Sequence, residues 1–302
     1  MSEMLRPRQL PPWSNSEYPY IVRTANSVKI RSILDGGGLV LDNKLKPGDR
    51  DYVAALASGL QILRAFDAEH SRLTLTEMAG LTDMDRAKAR RFLLTLESLG
   101  YVRRDGRYFE LTPRVLELGH AFQASNQYRA VIQHYLQDIT AEIGESSSLS
   151  VLDGTEVVYV VRSAAPHRLM AITLSPGTRL PAAYTSMGRV LLAQLPDAEL
   201  DARLDQVALQ AHTPHSLTSK RALREDILKV RKQGYSIVDQ ELDLGLRSVA
   251  APVFAGNGDL LGAVNISTNA ARVPLPMLRE DYLPRLLQLA ETVNKTVQSA
   301  AG

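Results

Sequence analysis

The amino-acid sequence predicts an α+β protein: an N-terminal winged helix-turn-helix, a linker helix, and a C-terminal domain on a mainly antiparallel sheet. Three observations carry this prediction. From about residue 51, apolar residues recur at the helical spacing of three and four. Two short β patterns joined by a glycine turn follow three such helices. Further along, strand patterns joined by short turns alternate with helical patterns, which favours antiparallel pairing under a cover of helices.

The composition is typical of a globular chain and excludes several kinds of site. The 302 residues are 45% hydrophobic and 23% charged, enough for two ordinary domains. Cysteine is absent, which excludes disulfides, thiolate metal sites and cysteine nucleophiles. No apolar run approaches the roughly 18 residues of a membrane span. The first twenty residues lack the apolar core of a signal peptide, so the default expectation is a cytoplasmic location.

Residues 1–50 are predicted to form an N-terminal extension. They hold five of the fifteen prolines, the only tryptophan and no sustained periodicity. We interpret them as loosely ordered or packed against a partner. Their eight basic against five acidic residues favour weak attraction to nucleic acid, although a solvated tail is the simpler interpretation.

Residues 51–112 are predicted to form the winged helix-turn-helix. "DYVAALASGLQILRAFDAE" has helical periodicity over roughly 15 residues. "LTLTEMAGLTD" predicts a short second helix, with Thr76 as N-cap and Gly80 as its end. "TDMD" has the capping-box spacing from Thr82 to Asp85 and opens a third helix that runs from Asp83 to about Ser98.

A hairpin and a linker helix complete this region. "GYVRR" and "RYFEL" are short β patterns joined by Asp105-Gly106, a dipeptide suited to a two-residue turn. The short spacing between the second and third helices is what a helix-turn-helix requires. "TPRVLELGHAFQAS" then predicts a linker helix over residues 113–125.

The third helix and the hairpin concentrate basic residues. Residues 86–107 hold seven bases against two acids, a balance of +5, while the whole chain carries only +2. At 100° per residue, the apolar side chains from Ala89 to Leu99 occupy about a third of the helix circumference, so the arginines face outward. A charged face alone is usually only solvated, but together with an arginine-bearing hairpin it predicts DNA binding. The candidate DNA-contacting residues are Thr76, Arg86, Lys88, Arg90, Arg91, Arg103, Arg104 and Arg107.

Residues 126–302 are predicted to form the second domain. The predicted strands are "SSLSVLD", "EVVYVVRS", "RLMAITLS", "YSIVDQEL", "RSVAAPVFA" and "LLGAVNIST", the first two joined by Asp153-Gly154. The predicted helices are "YRAVIQHYLQDITAEIG", "TSMGRVLLAQL", "SKRALREDILKVRKQG" and a closing helix from about Leu278 to Val297.

Several polar residues in this domain are candidates for binding a small acid. Thr185 or Ser186 can cap a helix whose free N–H groups suit a carboxylate, although an ordinary cap is equally compatible. Ser248 interrupts an apolar strand, while Asn265 and Ser267 share a face and need partners, either a ligand or neighbouring backbone.

Arg162, at the end of "EVVYVVR", has the planar fork to pair with a second carboxylate, or it is a surface residue. "GNGDLLG" joins two strands and is interpreted as a hairpin, not a dinucleotide site. No residue set with nucleophile, base and orienting partner is evident, so we expect neither an enzyme nor a cofactor or metal.

The motifs "GLQILRAFD", "LTLTEMAGLT", "ARRFLLTLESLGYV", "FELTPRVLELG", "TSMGRVLLA" and "ELDLGLRSVAAPV" occur in order. Over about residues 51–298 the chain resembles the IclR-type bacterial transcriptional regulators, and within them the branch that controls protocatechuate and β-ketoadipate breakdown (Pca/Pob). The resemblance implies a winged helix-turn-helix, a helical linker, a GAF-like effector domain, and dimers that commonly pair into tetramers.

The resemblance also implies roles for particular residues. Backbone N–H groups of Ser186 and Met187 would hold the ligand carboxylate, and Ser248, Asn265 and Ser267 would contact the ligand. The sequence departs from the family at Val238, where an acidic ligand-contacting residue is common; Asp239 lies beside it.

The combined prediction is a ligand-responsive regulator that binds a double-stranded operator as a homodimer or tetramer. Its effector would be a small carboxylic acid such as protocatechuate, 4-hydroxybenzoate or β-ketoadipate. One alternative is a small-acid-binding or enzymatic α+β protein whose helix-turn-helix contacts only protein. Another is a constitutive DNA-binding protein whose second domain only oligomerises.

Overall fold

The computed structural model describes residues 45–124, 128–165 and 174–299. The described residues form two compact units that divide at residue 127, each with its own buried core. Among these residues, no helix is both long enough and apolar enough to cross a membrane. We describe the two units in turn.

The N-terminal unit is three helices and a small sheet. Its elements are α1 (Ala54–Arg64), β1 (Leu73–Thr74), α2 (Leu75–Thr82), α3 (Arg86–Ser98), β2 (Val102–Asp105) and β3 (Tyr108–Leu111). The strands pair antiparallel in the order β1-β3-β2. A 3-10 turn (Pro113–Val115) and α4 (Leu116–Ala124) follow. The three predicted helices and the hairpin are present, with ends that differ from the prediction as described below. Strand β1 has only two residues, too few for an alternating pattern to reveal.

The predicted start of α2 is wrong. Thr74, not Thr76, is the N-cap: its hydroxyl accepts a hydrogen bond from the Glu77 N–H at 3.3 Å. The Glu77 carboxylate in turn accepts one from the Thr74 N–H at 2.7 Å. The capping box therefore lies here, and Thr76 is an exposed residue of the first helical turn.

The predicted turn between α2 and α3 is also shifted. Helix α2 continues past Gly80 to Thr82 and ends at Asp83, which takes the left-handed conformation (φ 51°) that Asp tolerates better than most residues. Helix α3 begins after Asp85, whose carboxylate accepts from the Lys88 N–H at 2.8 Å. Thr82 caps nothing, because its hydroxyl donates to the Met78 carbonyl inside α2.

The hairpin turn lies one residue later than predicted. Asp105 pairs with Tyr108 in the sheet, so the two turn residues are Gly106 and Arg107. Gly106 has a φ of +58°, a conformation in which glycine avoids the steric cost of a Cβ. The hairpin from Asp153 to Glu156 shows the same shift.

The C-terminal unit is a six-stranded sheet with the strand order β6-β5-β4-β9-β8-β7, antiparallel throughout. The strands are β4 (Ser146–Asp153), β5 (Glu156–Ser163), β6 (Arg179–Pro181), β7 (Ser236–Asp239), β8 (Leu246–Phe254) and β9 (Leu260–Asn269). The predicted α+β class with a mainly antiparallel sheet is confirmed. The predicted strand "RLMAITLS" lies largely outside the described residues.

Helices cover this sheet. They are α5 (Tyr128–Ile143), α6 (Ser186–Leu192), α7 (Asp197–Gln206), α8 (Lys220–Gln233), α9 (Leu275–Met277) and α10 (Leu283–Ser299), with a π-helical turn at Leu278–Tyr282. On one face, Ser147 of β4 donates to the Leu136 carbonyl of α5. On the other, Ser150 of β4 contacts Met187 of α6. Because alternate residues of a strand point to opposite faces, β4 contributes to both layers.

Gly188 allows α6 to approach the turn that precedes it. A Cβ at this position would lie 2.1 Å from the Ala182 carbonyl oxygen and 2.3 Å from the Ala182 Cα. Both atoms belong to the backbone, so a side chain cannot be accommodated by a rotamer change. The start of α6 is therefore held close to residues 182–184.

We expect Gly188→Ala to lower the free energy of unfolding by about 3 kcal/mol, because the backbone must shift to admit the methyl group. Urea unfolding followed by circular dichroism would measure the change. The control is Gly80→Ala in α2, where no heavy atom lies within 4 Å of an added Cβ. That variant should be neutral or gain up to about 1 kcal/mol from helix propensity. Similar losses in both variants would contradict the steric explanation.

Candidate nucleic-acid interface and ligand cavity

Helix α3 separates an apolar face from a basic face. Ala89 and Leu93 are fully buried and Leu96 is 8% exposed, which confirms most of the predicted core stripe. Leu99 does not belong to that stripe: it follows the last helical residue and is 51% exposed. The basic side chains of the helix are all exposed, namely Arg86, Lys88, Arg90 and Arg91.

These four cations are available to an external anion. Within the part of the chain that the structure describes, the charged group of none of these side chains donates a hydrogen bond or forms an ion pair. Because the buried stripe fixes the rotation of α3 about its axis, the basic face is held toward solvent by the core itself.

The hairpin arginines are exposed but have local partners. Arg103 pairs with Glu110 at 3.1 Å. Arg104 donates from Nε to the Gly106 carbonyl at 3.0 Å, and Arg107 donates to the Tyr108 hydroxyl at 2.9 Å. That last hydrogen bond is the main reason that the pKa of Arg107 is raised. All three residues are exposed at the tip and edge of the hairpin.

The C-terminal unit contains a small cavity between α6 and the sheet. Five of the six residues predicted from sequence to bind an effector lie in its wall: Ser186, Met187, Ser248, Asn265 and Ser267. The other wall residues are Tyr159, Leu174, Leu180, Tyr184, Thr185, Val238, Leu242 and Leu246. The wall is thus largely apolar, with its polar groups gathered on α6, β8 and β9.

Two pairs of polar side chains in the wall hydrogen-bond each other, and one buried acceptor is left without a partner. Ser186 donates to the Ser248 hydroxyl at 2.8 Å, and the Asn265 amide nitrogen donates to the Ser267 hydroxyl at 2.8 Å. Asn265 is 2% exposed, and its Oδ1 has no hydrogen-bond partner among the described residues. Buried acceptors are rarely left unsatisfied, so this atom is suited to accept from a bound molecule.

The start of α6 presents backbone donors to the cavity wall. Thr185 is the N-cap, as predicted, and accepts from the Gly188 N–H at 3.1 Å. The N–H groups of Ser186 and Met187 belong to the first turn and have no acceptor within the helix. They suit a carboxylate oxygen.

Arg162 lies outside the cavity wall. It is opposite Ser148 across β5 and β4, and its guanidinium donates to the Ser148 hydroxyl at 3.1 Å. Ser148 is in turn opposite Asn265 on β9, so Arg162 shares the cavity's sheet face at a distance of two strands. Partial burial lowers the pKa of Arg162.

The cavity wall has an apolar residue, Val238, at the position where the family commonly has an acidic one. Val238 itself lines the wall, whereas Asp239 points elsewhere and pairs with Arg247 at 2.7 and 3.0 Å. No charged side chain occurs among the described wall residues. A bound carboxylate would therefore meet N–H and O–H dipoles and no repelling charge.

Sequence reasoning missed two tyrosines in the wall. Burial raises the pKa of Tyr159 to about 12, so its phenol is neutral near pH 7. Tyr184 accepts a hydrogen bond from the Gln210 N–H at 2.9 Å. Aromatic residues in apolar runs are typical of core, and nothing in the spacing distinguishes a cavity wall from a filled interior.

A helix-turn-helix with an exposed basic face and a second unit with a partly polar cavity are the parts of a ligand-responsive transcriptional regulator. Residues 121–295 match the bacterial transcriptional regulator IclR C-terminal family, and residues 55–106 match the IclR helix-turn-helix domain. The chain therefore belongs to the IclR family of transcriptional regulators, as the sequence motifs predicted.

Known relatives agree with this assignment. The chain is 41% identical to the Pca regulon regulatory protein of Pseudomonas putida over 240 residues, covering 80% of this chain and 82% of that protein. It is 36% identical to the p-hydroxybenzoate hydroxylase transcriptional activator of Acinetobacter baylyi over 252 residues, covering 82% and 93%. These relatives are regulators of transcription, not enzymes.

Solved structures show the same fold. A transcriptional regulator from Rhodococcus sp. RHA1 superposes with a TM-score of 0.74 at 46% identity, covering 83% of this chain and all of that one. A double mutant of the PobR inducer-binding domain from Acinetobacter, in complex with 3-hydroxybenzoic acid, gives a TM-score of 0.52 at 30% identity. It covers 55% of this chain and 97% of that one.

The raised pKa of Tyr159 predicts a component of alkaline instability. Between pH 10 and 12 the unfolded phenol loses its proton while the folded one keeps it, so stability falls with pH by up to about 1.4 kcal/mol per unit. Below pH 10 the phenol is protonated in both the folded and the unfolded state, so the stability contributed by Tyr159 is fully present. We expect Tyr159→Phe to lose stability less steeply than the wild type in urea titrations between pH 9.5 and 11.5. Identical slopes would show that the phenol is not protected.

Proposed function

We propose that this protein controls genes for the breakdown of aromatic acids, binding its operator through α3 and the hairpin and a small aromatic carboxylic acid in the cavity. Such a regulator would act in the cytoplasm, where the DNA is. We assign residues 1–50 to an extension, 51–112 to DNA binding, 113–125 to the linker helix, and 126–302 to effector binding and oligomerisation. The observation that carries the DNA-binding part is the basic face of α3, fixed outward by its buried stripe.

Within this surface we propose a division of labour. Arg86 and Arg90, on the outward face of α3, would read base edges, since a guanidinium can bridge guanine O6 and N7. Arg104 and Arg107 would hold phosphates from the hairpin. Further contacts to the DNA backbone would come from the surrounding residues Thr76, Lys88, Arg91 and Arg103.

We expect Arg86→Ala and Arg107→Ala to differ in operator binding. Loss of a base contact should cost about 1–3 kcal/mol on the operator and little on unrelated DNA. Loss of a phosphate contact should weaken both and reduce the magnitude of the log–log salt slope by about 0.9. Fluorescence anisotropy at several salt concentrations, with an operator selected from random duplexes, would measure this.

The control for this experiment is Arg221→Ala, an exposed arginine of α8 in the other unit. It should leave both affinity and slope unchanged. Equal, sequence-independent losses for Arg86→Ala and Arg107→Ala would refute the division of labour. Absence of any salt-dependent binding would favour the alternative in which the helix-turn-helix contacts only protein.

The proposed effector follows from the chemistry of the cavity. Its apolar wall and two tyrosines suit an aromatic ring, and the N–H groups of Ser186 and Met187 suit the carboxylate. Ser248, Asn265 and Ser267 would hydrogen-bond the remaining polar groups, and Arg162 would be reached only by a longer, doubly charged ligand. The names of the Pca and p-hydroxybenzoate regulators, and the hydroxybenzoate bound to the PobR domain, support this class of ligand.

We expect one of protocatechuate, 4-hydroxybenzoate and β-ketoadipate to bind and to raise the melting temperature, since a ligand of the native state must stabilise it. Asn265→Ala should weaken that binding roughly tenfold, as loss of one hydrogen bond costs about 1–1.5 kcal/mol. Isothermal titration calorimetry would measure both. The matched control is Ser147→Ala, a buried serine on the opposite face of the same sheet, which should leave affinity unchanged.

Two results would contradict this proposal. Equal losses in Asn265→Ala and Ser147→Ala would remove Asn265 from the site. Stabilisation by none of the three acids would favour the constitutive model, in which the second domain only oligomerises.

A further inference from the structure

Arg72 lies at the edge of the hairpin surface without any role predicted from sequence. It directly precedes β1, in which Leu73 is buried and Thr74 is opposite Tyr108 on β3. Since side chains alternate along a strand, Arg72 shares the solvent face of this sheet with Tyr108. Its side chain is 47% exposed.

Two guanidinium groups share the Tyr108 ring. The Arg72 guanidinium carbon lies 5.2 Å from the ring centroid and that of Arg107 lies 5.1 Å from it, both within cation–π range. The two groups are therefore no more than about 10 Å apart. Phosphates along one DNA strand rise by roughly 3.4 Å per nucleotide, so two groups at this separation can meet phosphates of one strand.

Neighbouring acids occupy only part of this pair's hydrogen-bonding capacity. Arg72 donates from Nη2 to Asp105 Oδ2 at 2.5 Å, and Glu77 acts on Arg107 only through space while its carboxylate caps Thr74. A guanidinium has five N–H donors. Among the described residues, Asp105 is the one hydrogen-bond acceptor found for Arg72, which leaves the other donors open. The exposed ion pair itself contributes only about 0–1 kcal/mol, so it orients Arg72 more than it neutralises the site.

We propose that Arg72 is a further phosphate anchor beside the hairpin, paired with Arg107 around Tyr108 and oriented by Asp105. The DNA backbone would then be held at two points, one on each guanidinium. This inference rests on the proposed contact between the hairpin and DNA.

The test compares the salt dependence of operator binding by the full chain and its variants. Arg72→Gln keeps an N–H donor for Asp105 but removes the charge, so the magnitude of the log–log slope should fall by about 0.9. Arg72→Lys should keep the slope, and Arg72→Gln with Arg107→Gln should lower it by about 1.8. Preference for the operator over unrelated DNA should not change, because phosphates carry no sequence.

Arg114→Gln is the matched control. Arg114 is similarly exposed, stacks on Tyr101 at 5.5 Å and pairs with Glu117, but it lies beyond the hairpin. Its slope should equal that of the wild type, and a reduced slope would attribute the effect to total charge and overturn the proposal. Arg72→Gln binding that is weaker at every salt concentration with an unchanged slope would assign Arg72 a structural role and also overturn it.

The experiment distinguishes failure of the Arg72 proposal from failure of the proposed contact between the hairpin and DNA. If Arg107→Gln lowers the slope and Arg72→Gln does not, the hairpin binds DNA without Arg72. If neither variant lowers the slope, the proposed hairpin contact fails as well.

Discussion

The buried guanidinium of Arg189 connects two walls of the cavity through hydrogen bonds. Arg189 of α6 is 2% exposed and donates to both carboxylate oxygens of Glu241, at 2.7 and 2.5 Å, to Asp226 at 3.0 Å and to the Ala183 carbonyl at 3.0 Å. A charge this far from water is tolerated only when its hydrogen bonds are nearly complete, and removal of one partner from such a pair typically costs about 3–5 kcal/mol. Glu241 lies in the chain between the cavity residues Val238 and Leu242. The pair therefore fixes α6 against the segment that follows β7, and the cavity between them keeps its shape.

This fixed frame determines how the cavity can discriminate among ligands. Its donors and acceptors belong to α6, β8 and β9, elements held by the sheet and by Arg189, so a ligand must fit them more than they adapt to it. In the proposed binding mode, one carboxylate is held by dipoles at the start of α6 and needs no counter-charge. A second carboxylate would have to reach Arg162, which already donates to Ser148. Length and number of acidic groups, more than ring substitution alone, would then separate one small acid from another.

The sequence predicted those features that follow from local periodicity. The stripe of Ala89, Leu93 and Leu96 and the shared face of Asn265 and Ser267 are consequences of the helix and strand repeats, so they could be read without coordinates. Cap positions were less predictable, because several Thr and Asp residues near α2 satisfy the same spacing rule and tertiary contacts choose among them. The Arg189–Glu241 pair joins residues 52 positions apart, and the grouping of Arg72 with Arg107 depends on the register of β1 against β3. No pattern in the sequence predicts the Arg189–Glu241 pair or the grouping of Arg72 with Arg107. The volume of the cavity cannot be predicted from the sequence either.

The proposed response to a ligand requires an element with two states, and the pairing of subunits in the proposed homodimer or tetramer is a candidate for that element. Five apolar residues on and beside α1 and α4 are between 48% and 71% exposed, namely Val53, Leu56, Leu60, Leu116 and Leu118. Each of these side chains is a candidate for a subunit interface, since burial of apolar surface favours association. In the proposed dimer, burial of these residues would set the distance between two α3 helices, and that distance must match one helical turn of DNA or a multiple of it. A ligand can change this geometry only by as much as its affinity differs between the two states. By the same linkage, operator DNA would change the affinity for the proposed ligand by the same factor by which that ligand changes the affinity for DNA.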